Sequence, residues 1–511
     1  MLSGIFGKKS DHPMSDIKSA QAFLDELPKN DAHKTLAELT DWIESVSDNA
    51  DFKAEHQFAV LRLLDEAAQP CVRKLARDYF TPNELNKFQE NRLWLVLGNY
   101  FNHAARAYFA LFRRGCDGDK GVAALKAQEP LLAARAAYAL TGQLKYICAR
   151  YGTVDSAIWS NAARLWQHAE QHEYLDKPVV LYSGAAGDTT VKYELGHLLG
   201  WYGCGVSTMR PLHIHLSERI TGQYRSSIAL SAIQDESCMF SFDLDHPSAP
   251  MLAKLGSKAG PSIRFIGMAA MQPKLEALLQ ALEKNIVPES LNLGGTYGAE
   301  LVREAAQQLL TYLVNPPSRR APRRGINVNL NVVNGFARLL ESTGTGLDLS
   351  KEQPMRWRVE DISASGFRAV LTTQGSDGIR IGSLLGTQPD GVAHWGAAVV
   401  RRLRRDDNNR LHVGAEMLTS QVAGVELNQS GGGVPGGDGQ SALWLQARQG
   451  GASGEARLLM KGGTFSAQRS LQTQLKGQSY LLLSGELQEK GMDYDLAKFR
   501  VIQQEGVAEE T

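Results

Sequence analysis

No run of about 18 consecutive apolar residues occurs in this chain, so the sequence offers no candidate transmembrane helix. The opening MLSGIFGKKS has too short an apolar stretch before Lys8 and Lys9 to read as a signal peptide, and residues 1–13 are expected to form a flexible tail. Net charge is lacking too, because 55 Lys and Arg are balanced by 55 Asp and Glu. A bulk polycation is thereby excluded, and any affinity for anions must come from local arrangement. The five cysteines, Cys71, Cys116, Cys148, Cys204 and Cys238, form an odd set without a C-x-x-C pair. They suit a reducing compartment, and a cytoplasmic location without stable membrane insertion is expected. Catalytic signatures are missing as well: there is no G-x-S-x-G elbow, H-E-x-x-H helix or Cys-His arrangement. His168 with His172, and His213 with His215 in a strand-like HIH, have the spacing of paired metal ligands but no recognisable third and fourth ligand. Solvated or packed histidines are expected there. The stretch SGAAGDTT (183–190) lacks the Gly-Lys-Ser/Thr ending of a phosphate loop. The chain therefore reads as a non-enzyme, with no metal and no cofactor.

What is present is a sequence of composition changes. A chain of 511 residues is long enough for several cores. Residues 14–176, rich in Ala, Leu, Arg and Glu with apolar residues at helical spacing, predict a helical domain. Within it Trp94, Leu97, Gly98 and Phe101 fall at tetratricopeptide offsets, but no 34-residue repeat accompanies them, and ordinary helix packing is expected. Residues 177–315 predict a mixed α/β domain: VVLYSG as a buried strand, TVKYELGHLLGWYG as a helix, RSSIALSAI and CMFSFDLD as strands, and a helix over 299–314 ended by Pro316 and Pro317. Beyond those prolines the apolar period falls from 3.6 to 2. INVNLNV alternates Ile326, Val328, Leu330 and Val332 with asparagines, and RWRVEDI, GFRAVLT, IRIGSLLG, WGAAVVRRLRR and RLHVGAEML follow as short strands, which predicts a six-stranded antiparallel β-barrel over 316–420. A Gly-rich linker or loop (429–440) and a small C-terminal β unit (441–505) complete an α+β multidomain fold.

Two motifs in the barrel region carry chemistry. PSRRAPRRG places Arg319, Arg320, Arg323 and Arg324 within six positions just before the first strand, and Pro322 keeps the segment extended. Two R-x-x-x-R registers are available, Arg319 with Arg323 and Arg320 with Arg324, the second being slightly preferred. Downstream, DISASG holds Asp361, Ser363 and Gly366 in a D-x-S-x-x-G pattern: Asp361 and Ser363, two apart on a strand, share a face, and Gly366 eases the turn. A carboxylate accepts from the N1 and amino hydrogens of guanine, and arginine forks suit guanine O6/N7 and phosphates. A guanine dinucleotide matches the whole set.

R-x-x-x-R ahead of one strand and D-x-S-x-x-G after the next, followed by IRIGSLLG, WGAAVVRRLRR and RLHVGAEML, resemble the PilZ domain, the bacterial cyclic-di-GMP receptor. The resemblance covers residues 316–420 and implies a small barrel over which the arginine segment closes on cyclic-di-GMP, with Asp361 and Ser363 at a guanine edge. It further implies a second-messenger effector controlling motility, pilus or biofilm functions, with a protein partner engaged through the helical N-terminal domain. The interval between the motifs is longer than usual in that family, through ESTGTGLDLSKEQP (341–354), read here as a lengthened hairpin. Two other readings stay open. Residues 316–410 carry 15 Arg and Lys against nine Asp and Glu, an excess of the sign a nucleic-acid binder requires, yet Trp357 and Trp395 are the only tryptophans there for stacking, and no nucleic-acid partner is expected. The other is a non-binding interaction scaffold. RRLRR (401–405) is expected to be a solvated edge strand guarded by its charge.

Overall fold

The computed structural model describes residues 12–504 apart from 29, 84, 118–122, 124, 185–186, 255, 257–259, 317–321, 345–352, 372–377, 430–438 and 447–453. The chain divides into two compact units, Met1–Pro317 and Ser318–Thr511.

The first unit opens with helices α1 (Ile17–Glu26), α2 (Ala32–Ser47), α3 (Ala54–Tyr79), α4 (Lys87–Cys116), α5 (Glu129–Ala149) and α6 (Ser156–Gln171). Asp16, Asp31, Asn86 and Asp155 start α1, α2, α4 and α6 by accepting a backbone N–H of the first turn. The tetratricopeptide-like residues lie within the single helix α4. Its Phe101 packs on α5 where Gly142 stands, because a Cβ there would fall 2.0 Å from the ring. Helices α7 (Val191–Gly203) and α8 (Pro211–Gln223) follow, then strands β1 (Ala229–Ser231), β2 (Cys238–Asp243), β3 (Met251–Leu252) and β4 (Ile263–Gly267), and helices α9 (Gln272–Glu283) and α10 (Ala299–Val314). The strands form one sheet in the order β1-β4-β2-β3. Two local expectations are corrected. HIH is helical, since Pro211 begins α8 with its φ already set for a helix and the apolar neighbours lie at helical spacing. VVLYSG is no strand: Val179 makes a lone bridge to Thr189, and Val180 is 55% exposed. So short an apolar run carries no period by which to assign it. One continuous apolar core runs from Met14 to Leu309, through both the helical and the mixed regions. Among the described residues no helix is long and apolar enough to cross a membrane.

A polar hub lies inside this core. Asp65 and Arg135, each 1% exposed, pair at 3.2 Å. Asp65 also accepts from Gln69 Nε2 (2.9 Å) and from the hydroxyls of Tyr100, Tyr108 and Tyr182, while Arg135 Nε donates to the Leu181 carbonyl (2.9 Å). Burial, then the Asp65 charge, push the Tyr100 and Tyr108 phenols well above their ordinary range, so both act as donors. A buried charge survives only when every partner is in place.

The second unit is two barrels. The first comprises β5 (Arg324–Asn334), β6 (Met355–Ser363), β7 (Gly366–Leu371), β8 (Leu384–Pro389), β9 (Gly396–Arg405) and β10 (Leu411–Thr419), with helix α11 (Phe336–Ser342) between β5 and β6. It closes in the order β10-β7-β6-β5-β8-β9, every pair antiparallel. The second comprises β11 (Val422–Gln429), β12 (Gln440–Leu445), β13 (Glu455–Lys461), β14 (Leu471–Leu475), β15 (Gln478–Lys490) and β16 (Tyr494–Gln504), closed as β11-β12-β13-β16-β15-β14. Numbered within each barrel, both have the same neighbours: first with second and fourth, third with second and sixth, fifth with fourth and sixth.

The C-terminal β unit is therefore a complete barrel that begins at Val422, ahead of the Gly-rich stretch and not after it. Residues 430–438 of that stretch lie outside the described set, but β11 and β12 on either side pair antiparallel, Leu427 against Gln440, so the stretch joins neighbouring strands. A glycine-rich composition marks a turn within a barrel as readily as a domain boundary. The 341–354 interval is also more than a lengthened hairpin. Its first two residues end α11, whose Phe336 and Leu339 belong to a core shared with Val422, Leu443, Leu459 and Tyr494 of the second barrel. Asp493 fixes the start of α11 by accepting the Phe336 N–H (2.6 Å).

Replacing Asp65 by Ala takes from Arg135 its buried carboxylate, leaving it the partly exposed Glu66 (2.5 Å), and leaves the Tyr100 and Tyr108 hydroxyls without their acceptor, which is expected to lower stability by about 3–5 kcal/mol in urea unfolding.

Candidate functional site

The two motifs meet on the outer surface of the first barrel. β5 runs beside β6 with Arg324 opposite Ile362 and Gly325 opposite Asp361. A bulge in β6 between Val359 and Asp361 adds Glu360 and sets Asp361 opposite the outward-facing Arg368 of β7. Arg368 in turn lies opposite Gly414 of β10. Across this row Gly325 and Gly414 contribute no side chain, and Asp361 and Arg368 stand between them.

Asp361 is held from two sides. Arg323 Nη1 donates to Oδ1 at 3.0 Å, and Arg368 Nε lies 2.9 Å from Oδ2. Arg368 Nη2 also reaches Glu360 Oε2 at 3.2 Å. The Asp361 side chain is 12% exposed and that of Arg323 47%, so a nearly buried carboxylate faces a guanidinium that remains open to solvent. Ser363 turns back on the hairpin: its Oγ donates to the Gly366 carbonyl (3.2 Å) and lies 3.4 Å from Ser365 Oγ. Gly366 is fixed by crowding. A Cβ there would sit 2.1 Å from the Ala415 carbonyl oxygen of β10.

Of the residues singled out from sequence, Arg323 and Asp361 are thus brought into contact, with Ser363 and Gly366 at the adjoining turn. Arg324 is exposed across from Ile362, and the arginine on the carboxylate is Arg323. Arg319 and Arg320 lie outside the described residues. Arg368 was passed over, although it stands two residues beyond the motif glycine in GFR. Chemically the site offers a carboxylate acceptor, two guanidinium groups and a hydroxyl beside bare backbone at Gly325. Such a set accepts N–H donors from a planar base edge and gives donors to phosphate oxygens.

The RRLRR segment is not an edge. β9 lies between β8 and β10, and Arg401 is a strut between the barrels. Its Nη1 and Nη2 donate to the two oxygens of Glu489 on β15 (2.7 and 2.6 Å) and its Nε to Glu416 (2.8 Å). Burial alone would lower its pKa, but the hydrogen bonds and charges of Glu489 and Glu416 outweigh that and raise it. Closure cannot be read from one strand, which is why charge alone suggested an edge. The paired histidines are likewise engaged. The His168 and His172 rings stack at 3.9 Å with His168 Nδ1 on Tyr174 Oη (2.7 Å), His213 meets Glu304 (3.2 Å), and His215 Nε2 meets the Leu293 carbonyl (2.9 Å). Among the described residues no group of three or more His, Cys, Asp or Glu is placed to hold a metal.

Gly366→Ala, which forces a methyl onto the β10 backbone, is expected to lower stability by about 1–3 kcal/mol, measured by chemical denaturation. Arg401→Ala should remove about 1 kcal/mol by loosening the two barrels, read in the same way.

Comparison with known proteins bears on the other end of the chain. No curated protein matches it. Residues 18–235, which lie in the first unit and end well before β5, match the model of the N-terminal domain of the cyclic-di-GMP receptor FimW.

Proposed function

We propose that this chain is a cyclic-di-GMP receptor that takes the dinucleotide on the outer face of its first barrel, at Asp361, Ser363 and the arginines ahead of β5. The observation that carries the reading is a coincidence of independent parts. The N-terminal half is similar to a domain of a cyclic-di-GMP receptor, and the barrel at the other end brings Arg323 and Asp361 together beside a D-x-S-x-x-G hairpin. In this reading Asp361 accepts from the N1 and amino hydrogens of one guanine, Arg323 and Arg319 turn their forks to phosphate and base, and Gly325 leaves space for the ring. The barrel is of the PilZ type, the protein acts in the cytoplasm, and it is not an enzyme. The helical N-terminal region presents the output surface to a protein partner, in the control of motility, pilus or biofilm functions. The nucleic-acid reading is weakened by the commitment of Arg401 to Glu489 and Glu416.

Calorimetric titration of the full chain with cyclic-di-GMP, GTP and single-stranded RNA tests this. Binding of cyclic-di-GMP with only a moderate salt dependence is expected, and Asp361→Ala should weaken it by about 1–3 kcal/mol. Tight RNA binding with a steep salt slope, and no heat from the dinucleotide, would sink the proposal.

A further inference from the structure

We infer that Arg368, which belongs to neither sequence motif, is the positioning residue that aims Asp361 at guanine and so sets the choice of guanine over adenine; the inference rests on the cyclic-di-GMP reading above. Both oxygens of Asp361 are occupied: Arg323 Nη1 donates to Oδ1 at 3.0 Å and, at 3.4 Å, to Oδ2, where Arg368 Nε lies closer at 2.9 Å. The two arginines are anchored differently. Arg323 precedes the first residue of β5, whereas Arg368 is inside β7, with its backbone registered against Asp361 on one side and Gly414 on the other. Its guanidinium is tied a second time, through Nη2 to Glu360 Oε2. The bulge that inserts Glu360 is what lets two successive carboxylates reach one arginine.

A base edge that needs Asp361 must take the position Arg323 Nη1 holds at Oδ1. Arg323 is then displaced toward phosphate, and Arg368 keeps Oδ2. Each carboxylate oxygen has two lone-pair directions, so Arg368 on one direction of Oδ2 fixes the carboxylate plane and leaves Oδ1 and the second direction of Oδ2 to a pair of parallel N–H donors. Guanine supplies such a pair from N1 and its amino group. Adenine has an acceptor lone pair at N1, which a fixed carboxylate repels. Without Arg368 the carboxylate rotates about its terminal torsion and accepts whatever donor is near, so the loss falls on discrimination.

The test measures the affinities of full-length wild type, Arg368→Ala, Arg368→Gln and Arg368→Lys for cyclic-di-GMP and cyclic-di-AMP, with thermal melting of each. Wild type should prefer cyclic-di-GMP, Arg368→Ala should reduce that preference about tenfold or more, and Arg368→Lys, which retains a cation near Oδ2, should restore part of it. If Arg368→Ala does not fold, Arg368→Gln decides by the same ratio. A variant that binds both dinucleotides more weakly but in the wild-type ratio would show a merely structural role and overturn the inference while leaving the receptor reading intact. Wild type that fails to bind cyclic-di-GMP overturns both.

Discussion

At Gly366 the β6–β7 hairpin presses so closely on β10 that the position admits no side-chain atom, a Cβ there falling 2.1 Å from a backbone oxygen. That approach lies in the pairing of the third strand with the sixth, by which the sheet closes on itself. Closure then sets the register of β6 against β7, the register sets Asp361 opposite Arg368, and the bulge at Glu360 decides which way the carboxylate faces. The glycine of the motif serves the barrel first and the site through it. Motif residues of this kind carry two signals at once, one for folding and one for chemistry, and substitution data must separate them.

The barrel was legible from sequence because a strand period of 2 is local. Each of the short alternating segments could be read by itself, and their number and spacing implied a closed sheet. What stayed hidden depends on pairing. Val328 lies in unbroken register with Leu330 and Val332 and shares their face, yet it is 42% exposed while they are buried, a difference that alternation alone does not show. Likewise, the contact of Arg323 and not Arg324 with Asp361 depends on the register of β5 against β6. In IRIGSLLG the strand begins only at Leu384, while Ile379 and Ile381 are buried in the turn before it. Helix α11, at seven residues, is too short to show a period, and its role depends on a partner barrel far along the chain. For the same reason the Asp361–Arg368 contact was invisible, since nothing in the sequence counts residues across a bulge. The helical region gave its fold class readily, but helical spacing says nothing of the receptor domain that residues 18–235 are similar to.

The two buried carboxylates described here show how environment separates structural from chemical roles. Asp65 is enclosed by an arginine, a glutamine and three tyrosine hydroxyls, with no approach from solvent, so its partners can only be those the fold provides. Asp361 is nearly as covered, but one of its partners, Arg323, is half open to solvent. An exchangeable partner is what distinguishes a site from a strut. Arg401, though partly open to solvent, is forked onto both oxygens of Glu489, which also accepts from the Tyr494 hydroxyl.

The shared connectivity of the two barrels gives the molecule its own internal control. The second barrel repeats the chain path of the first, and even the tripeptide Ala364-Ser365-Gly366 recurs as Ala452-Ser453-Gly454. Five residues before Gly454, however, stands Gln449 in place of an aspartate, and no arginine occurs between Arg410 and Arg448 to play the part of the cluster ahead of β5. One polypeptide thus carries the same architecture with and without the charged groups, fused through a common core and exposed to the same solution. Where the first barrel adds helix α11 and its arginine and aspartate, the second has the same strand order without those charged groups.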